Sequence, residues 1–298
     1  MPNDAFYRII GLGEVLWDLF PDGDHFGGAP ANMACTAAGL LGSSGSVKLV
    51  SALGADQRGR EAINFLEQRH VDVSEIQITE APTGSVIVQL DDSGQPLFNI
   101  SVNSAWDSIA WSEHWRDLTA NVDAICFGSL AQRGITSRQT IQKFVRTSPA
   151  NVLKVFDMNL RAPFYEAYTL IQSLKLANVL KLNREELSVI SEILSMSGDS
   201  IDVLKKLQDD YQINSIALTQ GSAGAVLIHY SETVNVPSVP TTVVDTVGAG
   251  DAFTAALIIG LLKNQSLTEI ANFATNVSSY VCSQRGASPM LPDWIGGY

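Results

Sequence analysis

Along most of this chain, short apolar runs alternate with stretches of helical period. Residues 7–13 form an apolar run that ends in glycines, which predicts a first buried strand. Residues 14–20 read as a further strand, and Pro21, Gly23 and their acidic neighbours make a turn cluster. Gly27-Gly28-Ala29-Pro30-Ala31-Asn32 then opens an Ala-rich helix that runs to about residue 41. Residues 47–53 predict another strand, and residues 57–68 an amphipathic helix with Ala62, Ile63 and Leu66 facing inward. Residues 84–90 alternate, 91–94 turn and 95–101 return, the pattern of a hairpin. Trp106, Trp111 and Trp115 are spaced like a helix face, for core or subunit contact.

From residue 123 the alternation is regular. Strands are predicted at 123–127, 152–156, 179–182 and 215–218, with helices at 138–146, 185–194 and 201–207 between them. Residues 241–244 read as the β-branched end of a strand, and residues 252–262 as an almost wholly apolar helix. Strands alternating with helices imply an α/β fold with a central, mostly parallel sheet and helices on both faces. The hairpin is antiparallel, so it is expected in a separate small sheet. With the 14–26 segment, residues 84–103 would make a β lid on one domain spanning residues 1–298. In open α/β sheets ligands bind beyond the carboxyl ends of the strands. Here those ends carry Asp157, Asn159 and Arg161, then Asn183 and Glu186, then Thr219 and Gly221.

Composition narrows the chemistry. The 298 residues are 46% hydrophobic and 17% charged, as in a globular chain with a large core. The net charge of −12 disfavours nucleic acid and anionic membranes as partners. No apolar run is long enough to span a bilayer, and no signal pattern marks the N-terminus. Three widely spaced cysteines, Cys35, Cys126 and Cys282, fit reduced core thiols in a cytoplasmic protein. Gly11-x-Gly13 lacks the third glycine of a dinucleotide fingerprint, no Walker A sequence occurs, and the four histidines have no metal spacing.

The most informative stretch is Asp245-Thr246-Val247-Gly248-Ala249-Gly250-Asp251-Ala252-Phe253. Two glycines at a helix entry leave backbone N–H groups free for an anion, and let a phosphate approach closely. Asp251 sits in that first turn, where a carboxylate would act as the base of phosphoryl transfer. An ordinary N-capped helix is the plain alternative.

Together with Gly27-Gly28-Ala29-Pro30-Ala31-Asn32, this stretch resembles the two signatures of the PfkB, or ribokinase-like, carbohydrate kinases. Gly13-Glu14 with Asp18, residues 127–130, 157–161 and 181–186 look most like the bacterial fructokinases of that family. The resemblance implies a ribokinase-like fold and ATP-dependent phosphorylation of a sugar's primary hydroxyl. It implies that Asp251 is the base and that the backbone of Gly248, Ala249 and Gly250 forms the anion hole, with Arg161 facing the transferring phosphate. Asp18, Gly28 and Asn32 would hold sugar hydroxyls. Asn183, Thr219, Gly221, Gly250 and Asn276 would meet the nucleotide. Glu186 would hold Mg²⁺ through water, and Asp245 a monovalent cation, with K⁺ the family's ion.

Two features leave the family pattern less than complete. Met290 stands where ribokinases often have Ser, and Thr275 competes with Asn276 for the adenine position. Fructose is the leading acceptor; 2-keto-3-deoxygluconate, ribose or a nucleoside are alternatives, and a non-catalytic sugar- or nucleotide-binding regulator is the reading from another class. The expected partners are a small sugar and ATP, and the lid edge offers a route to a homodimer.

Overall fold

Apolar strands that must hide both faces need helices above and below them, and that requirement organises the chain. The computed structural model describes residues 5–21, 23–90 and 96–296. The N-terminal part runs β1 (Tyr7–Leu12), β2 (Leu16–Phe20), β3 (Gly23–Gly27), α1 (Ala29–Leu41), β4 (Gly45–Gly54), α2 (Gln57–Gln68), β5 (Val71–Asp72) and β6 (Ile76–Thr79). Next come β7 (Gly84–Leu90), β8 (Pro96–Ile100), α3 (Trp115–Ala120), β9 (Ala124–Phe127), α4 (Ile135–Thr147), β10 (Leu153–Asp157) and α5 (Ala167–Leu176). The rest is β11 (Val179–Asn183), α6 (Arg184–Ile193), α7 (Ser200–Tyr211), β12 (Ser215–Thr219), β13 (Ala225–His229), β14 (Glu232–Val236), α8 (Ala249–Leu262), α9 (Leu267–Cys282) and α10 (Asp293–Gly296).

The large sheet has the order β14-β13-β12-β11-β10-β9-β1-β4-β5, with β6 paired to β4. From β12 to β5 all pairs are parallel; β13 and β14 are antiparallel additions at one edge. Successive residues of the parallel strands point to opposite faces, so each strand feeds two cores. Val155, Val179 and Ala217 pack with α1, α8 and α9 on one face. Phe127, Phe156, Leu180 and Leu218 pack with α4, α5 and α7 on the other. This is the ribokinase-like α/β fold. The second sheet, in the order β3-β2-β7-β8, joins the 14–26 segment to the hairpin as the alternation implied. Asp22 and residues 91–94, read as turns from the sequence, and Gln95, read as the start of the returning strand, lie outside the described residues.

Two expectations need correction, and one element went unread. Residues 241–244 are not a strand. The ladder of β14 ends at Val236, and Pro237 and Pro240 then remove backbone donors. The chain instead docks on the end of α9, where Val244 and Asp245 both donate their N–H to the Cys282 carbonyl. The tryptophans do serve the core, but not from one helix. Trp106 lies in a 3₁₀ turn (Ala105–Ser108) that ends at Ile109, and Trp115 begins α3. Finally, the β13–β14 hairpin carries no signal that was read from the sequence. Among the described residues, no helix is long and apolar enough to cross a membrane.

The stacked rings of Phe127 and Phe156, 5.4 Å apart and fully buried, sit where two parallel strands meet the outer helices. Phe156→Ala is therefore expected to lower unfolding free energy by about 3–5 kcal/mol in urea titrations followed by circular dichroism, with the fold retained.

Candidate active site

A cleft of about 1280 Å³ opens beyond the carboxyl ends of β1, β10, β11 and β12, under the small sheet. It exceeds the roughly 300–1,000 Å³ of a pocket for one small ligand, so two can lie end to end. Its upper wall is apolar, with Leu16, Val86 and Ile100 from the second sheet.

The two glycine-led helix entries meet in its floor. Gly28, with φ 110°, precedes α1. A Cβ there would lie 2.6 Å from the Glu14 carbonyl oxygen, so only glycine lets α1 start this close to the first strand. Gly248, with φ 78°, caps α8, and a Cβ there would lie 2.1 Å from the Ala287 carbonyl oxygen. Neither helix has a side-chain cap; the Ala249 N–H donates to Thr246 O at 3.3 Å, and Gly28, Gly248, Ala249 and Gly250 line the cleft. Asn32 in α1 donates from Nδ2 to Asp251 Oδ2 at 2.8 Å, and Ser288 Oγ donates to Asn32 Oδ1 at 3.0 Å. This chain fixes the amide so that its donor end faces the carboxylate.

Asp251 is buried in the first turn of α8. Burial, with the neighbouring carboxylate of Asp157, pushes its carboxyl up to about 6, against the pull of Lys181, the Asn32 amide and Arg161. Asp18 is half-buried in β2 and rises to about 6, chiefly by burial, with Arg161 and His25 opposing. Glu14, whose Oε2 has no hydrogen-bond partner, rises to about 7, again mainly by burial. A cleft lined by three carboxyls poised near neutrality is the electrostatic signature of a functional site.

The Asn183–Glu186 spacing has a local cause. Asn183 Oδ1 accepts the Glu186 N–H at 2.9 Å, and Glu186 Oε2 accepts the Asn183 N–H at 2.8 Å, a capping box on α6. Glu186 Oε1 accepts the Leu160 N–H at 2.9 Å, which ties the end of β10 to α6. Burial raises the Glu186 carboxyl, and Lys181 opposes the shift. The box leaves the carboxylate in the cleft wall with further lone pairs, so it suits an ion that arrives with its own water and phosphate ligands. Among the described residues, no group of three or more His, Cys, Asp or Glu side chains surrounds a metal position.

The other sequence-derived residues fall out as follows. Gly248, Ala249, Gly250, Asn159, Arg161, Thr219 and Gly221 all line the cleft, and among the described residues the exposed Arg161 donates to its neighbour's carbonyl, Leu160 O, at 3.0 Å. Asp245 lies behind the turn. It accepts the N–H of Val247 at 3.0 Å and of Gly286 at 3.1 Å, so it joins the α8 entry to the C-terminal loop. Asn276 is misplaced by the sequence reading. It is exposed and donates to Asn272 O, whereas Thr275, Ser278, Ser279 and Cys282 line the cleft. Those four follow the i, i+3, i+4, i+7 spacing of one helix face, and position 276 falls about 100° off it.

The sequence reading assigned no role to Glu14, Ser288, or the buried Lys181–Asp157 pair with Thr254. A signal was present for the pair: Asp157 closes β10 after Val155-Phe156, and Lys181 stands between Leu180 and Leu182 in β11.

Residues 22–294 match the family described as pfkB family carbohydrate kinase. A fructokinase of Salmonella typhimurium is 30% identical over 306 residues, covering 96% of this chain and 96% of its own. A fructokinase of Klebsiella pneumoniae is 31% identical over 304 residues, with the same 96% coverage of both. The solved structure of an uncharacterized sugar kinase of Pyrococcus horikoshii, in complex with ATP, superposes with a TM-score of 0.79 at 30% identity, covering 94% of each chain. A fructokinase of Xylella fastidiosa with bound ATP superposes at 0.85 with 24% identity, over 96% of this chain and 95% of that one.

The raised Asp251 carboxyl has a stability consequence whose sign is fixed. A carboxyl that holds its proton more tightly when folded stabilises the fold fully below its unfolded value. That contribution is lost as pH rises through about 6. At pH 7.5 the ionised Asp251 is thus a liability, and Asp251→Asn is expected to stabilise the protein by about 2 kcal/mol, the gap closing at pH 4. Thermal melts of the two proteins across that range check it.

Proposed function

The chain belongs to the pfkB family of carbohydrate kinases, and from that premise we propose that this phosphotransferase moves the γ-phosphoryl group of ATP to the primary hydroxyl of fructose. The observation that carries the mechanism is Asp251, a buried carboxylate held by Asn32 in the first turn of a helix whose glycine-led N-terminus faces the same cleft. One turn of backbone thus offers both the base and the anion site that phosphoryl transfer needs.

Each proposed role follows from position. The sugar lies under the small sheet, its hydroxyls held by Asp18, Asn32 and the backbone at Gly28. Its primary hydroxyl points at Asp251, which takes the proton as the oxygen attacks phosphorus. The N–H groups of Gly248, Ala249 and Gly250 receive the charge that develops on the transferring group, the Ala249 N–H giving up its 3.3 Å bond to Thr246 O. Arg161, anchored only through its own backbone neighbour, is free to swing onto the phosphate. The nucleotide occupies the far arm, between Asn183, Thr219 and Gly221 on one side and the Thr275–Cys282 face of α9 on the other. Gly221, with φ 58° and open space where a Cβ would stand, leaves room for a ring or ribose. Glu186 would hold Mg²⁺ through water, and that ion would neutralise charge between the phosphates. Asp245, at the junction of the turn and the C-terminal loop, would hold a monovalent cation, K⁺ being the expected one.

Fructose as the acceptor is supported by full-length fructokinase relatives at about 30% identity. The apolar wall of Leu16, Val86 and Ile100 beside Asp18 also favours a small sugar without a second charged group.

Asp251→Asn should keep sugar and ATP binding yet lose about a hundredfold or more in kcat. In the unsubstituted enzyme kcat should fall as pH drops through about 6, when Asp251 takes up its proton. Near-normal turnover by the variant would remove Asp251 from the base role. In ADP-release assays over fructose, ribose, 2-keto-3-deoxygluconate and adenosine, fructose should show the highest kcat/KM. A higher value for another of the four would reassign the acceptor, and silence with all four would point to a binding regulator.

A further inference from the structure

One buried ion pair has no part in the transfer just described. Lys181 and Asp157 are register partners on the paired strands β11 and β10, so both side chains leave the sheet on the same face. That face is the one covered by α8, through Val155 and Val179. Lys181 Nζ lies 3.1 Å from Asp157 Oδ1, and the two side chains are 6% and 5% exposed. The other carboxylate oxygen, Oδ2, accepts the hydroxyl of Thr254, one turn into α8, at 2.7 Å. A Cβ on Gly250 would stand 2.9 Å from Lys181 Nζ, so the ammonium sits directly against the backbone of the helix entry.

Stability does not account for two charges placed here. Desolvating a buried pair costs about as much as its attraction returns, and an apolar pair of similar volume would serve the fold as well. What distinguishes the pair is its location, between the strand ends and the turn that carries Asp251.

We propose that Lys181 and Asp157 are the positioning pair of this site: Asp157 anchors the α8 entry through Thr254, and the two opposed charges set the ionisation of Asp251.

Asp251 is faced by Asp157 from β10, Lys181 from β11, Arg161 from the loop after β10 and Glu14 from the β1–β2 connection, with the neutral Asn32 amide on α1. Cys126 on β9 is held as an uncharged thiol by burial and nearby carboxylates. Asp157 favours the protonated form of Asp251, and Lys181 the ionised form. Burial disfavours the charge on Lys181 itself, yet Asp157, Glu186 and Asp251 together hold its ammonium above the usual range. Lys181 alone would lower the Asp251 carboxyl and leave it a weaker base; Asp157 alone would raise it further and leave less of it ionised. The pair leaves it between these limits, where a base acting near neutral pH is most effective.

The inference rests on Asp251 as the reading above uses it, and the experiment separates the two. The carboxyl ¹³C resonance of Asp251, identified by its loss in Asp251→Asn, is titrated in the unsubstituted enzyme, Lys181→Met, Asp157→Asn and the double variant. In parallel, kcat with fructose and ATP is followed against pH. The midpoint should move up by about one pH unit in Lys181→Met, down by a similar amount in Asp157→Asn, and return close to the original in the double variant. A merely structural pair would not give shifts of opposite sign. If Lys181→Met fails to fold, Asp157→Asn and the neutral double variant still define the shift. An unmoved midpoint, or movement of the same sign in both folded single variants, overturns the proposal. If midpoints move as stated while the acid limb of kcat stays put, the pair's control of Asp251 stands and the base assignment falls.

Discussion

A 2.8 Å hydrogen bond between Asn32 and Asp251 joins two helix entries that lie 219 residues apart in the chain. Everything else in the cleft is arranged so that this contact exists. Both helices begin at a glycine with positive φ, pressed against backbone on its far side, Glu14 for α1 and Ala287 for α8. Any side chain at either glycine would push its helix outward and part the two residues. The constraint is therefore one of backbone proximity, and the side-chain chemistry follows from it.

Rigidity behind this contact comes from apolar packing. Helix α8 is buried on nearly all sides, against α1, α9 and the sheet, as a helix hydrophobic all round must be. Even Gly260, which reads as a breaker, is part of the fit, since a Cβ there would lie 2.7 Å from Ile270 on α9. A helix so enclosed cannot shift its first turn, and the Asp251 carboxyl and the backbone of that turn keep a fixed relation. The cost of placing Asp251 in such surroundings appears as its raised carboxyl.

Charge is the second organising factor. The chain carries a net charge of −12, yet it is proposed to bind a polyanion. In the cleft the acidic side chains are partly offset by two cations. Lys181 faces Asp157, Asp251 and Glu186, and Arg161 faces Glu14, Asp18 and Asp251. Helix entries supply the remaining positive potential without adding to the formal charge. An acidic protein can thus hold a phosphate site because fixed dipoles and two cations, one of them the buried Lys181, act on it at short range.

Much of this was legible in the chain itself. The regular alternation after residue 123 yields a parallel sheet because strands buried on both faces must be apolar throughout and must be linked by helices. The period-2 pattern of 84–90 placed the hairpin in a sheet of its own. The glycine signatures located both helix entries, since φ > 0 and close approach leave few alternatives to glycine. Other features depended on contacts distant in sequence. Residues 241–244 look like a strand, but Pro237 and Pro240 remove backbone donors after β14, and the chain docks on the end of α9 instead. Asn276 looks like a ligand until the orientation of α9 about its axis is known, and Thr275 takes the cleft-facing position. Lys181 and Asp157 become partners only because β10 and β11 lie side by side in register. Local propensity and pattern determine which elements form and where glycine is required; which side chains meet is decided by strand order, register and helix rotation, and these are properties of the packed whole.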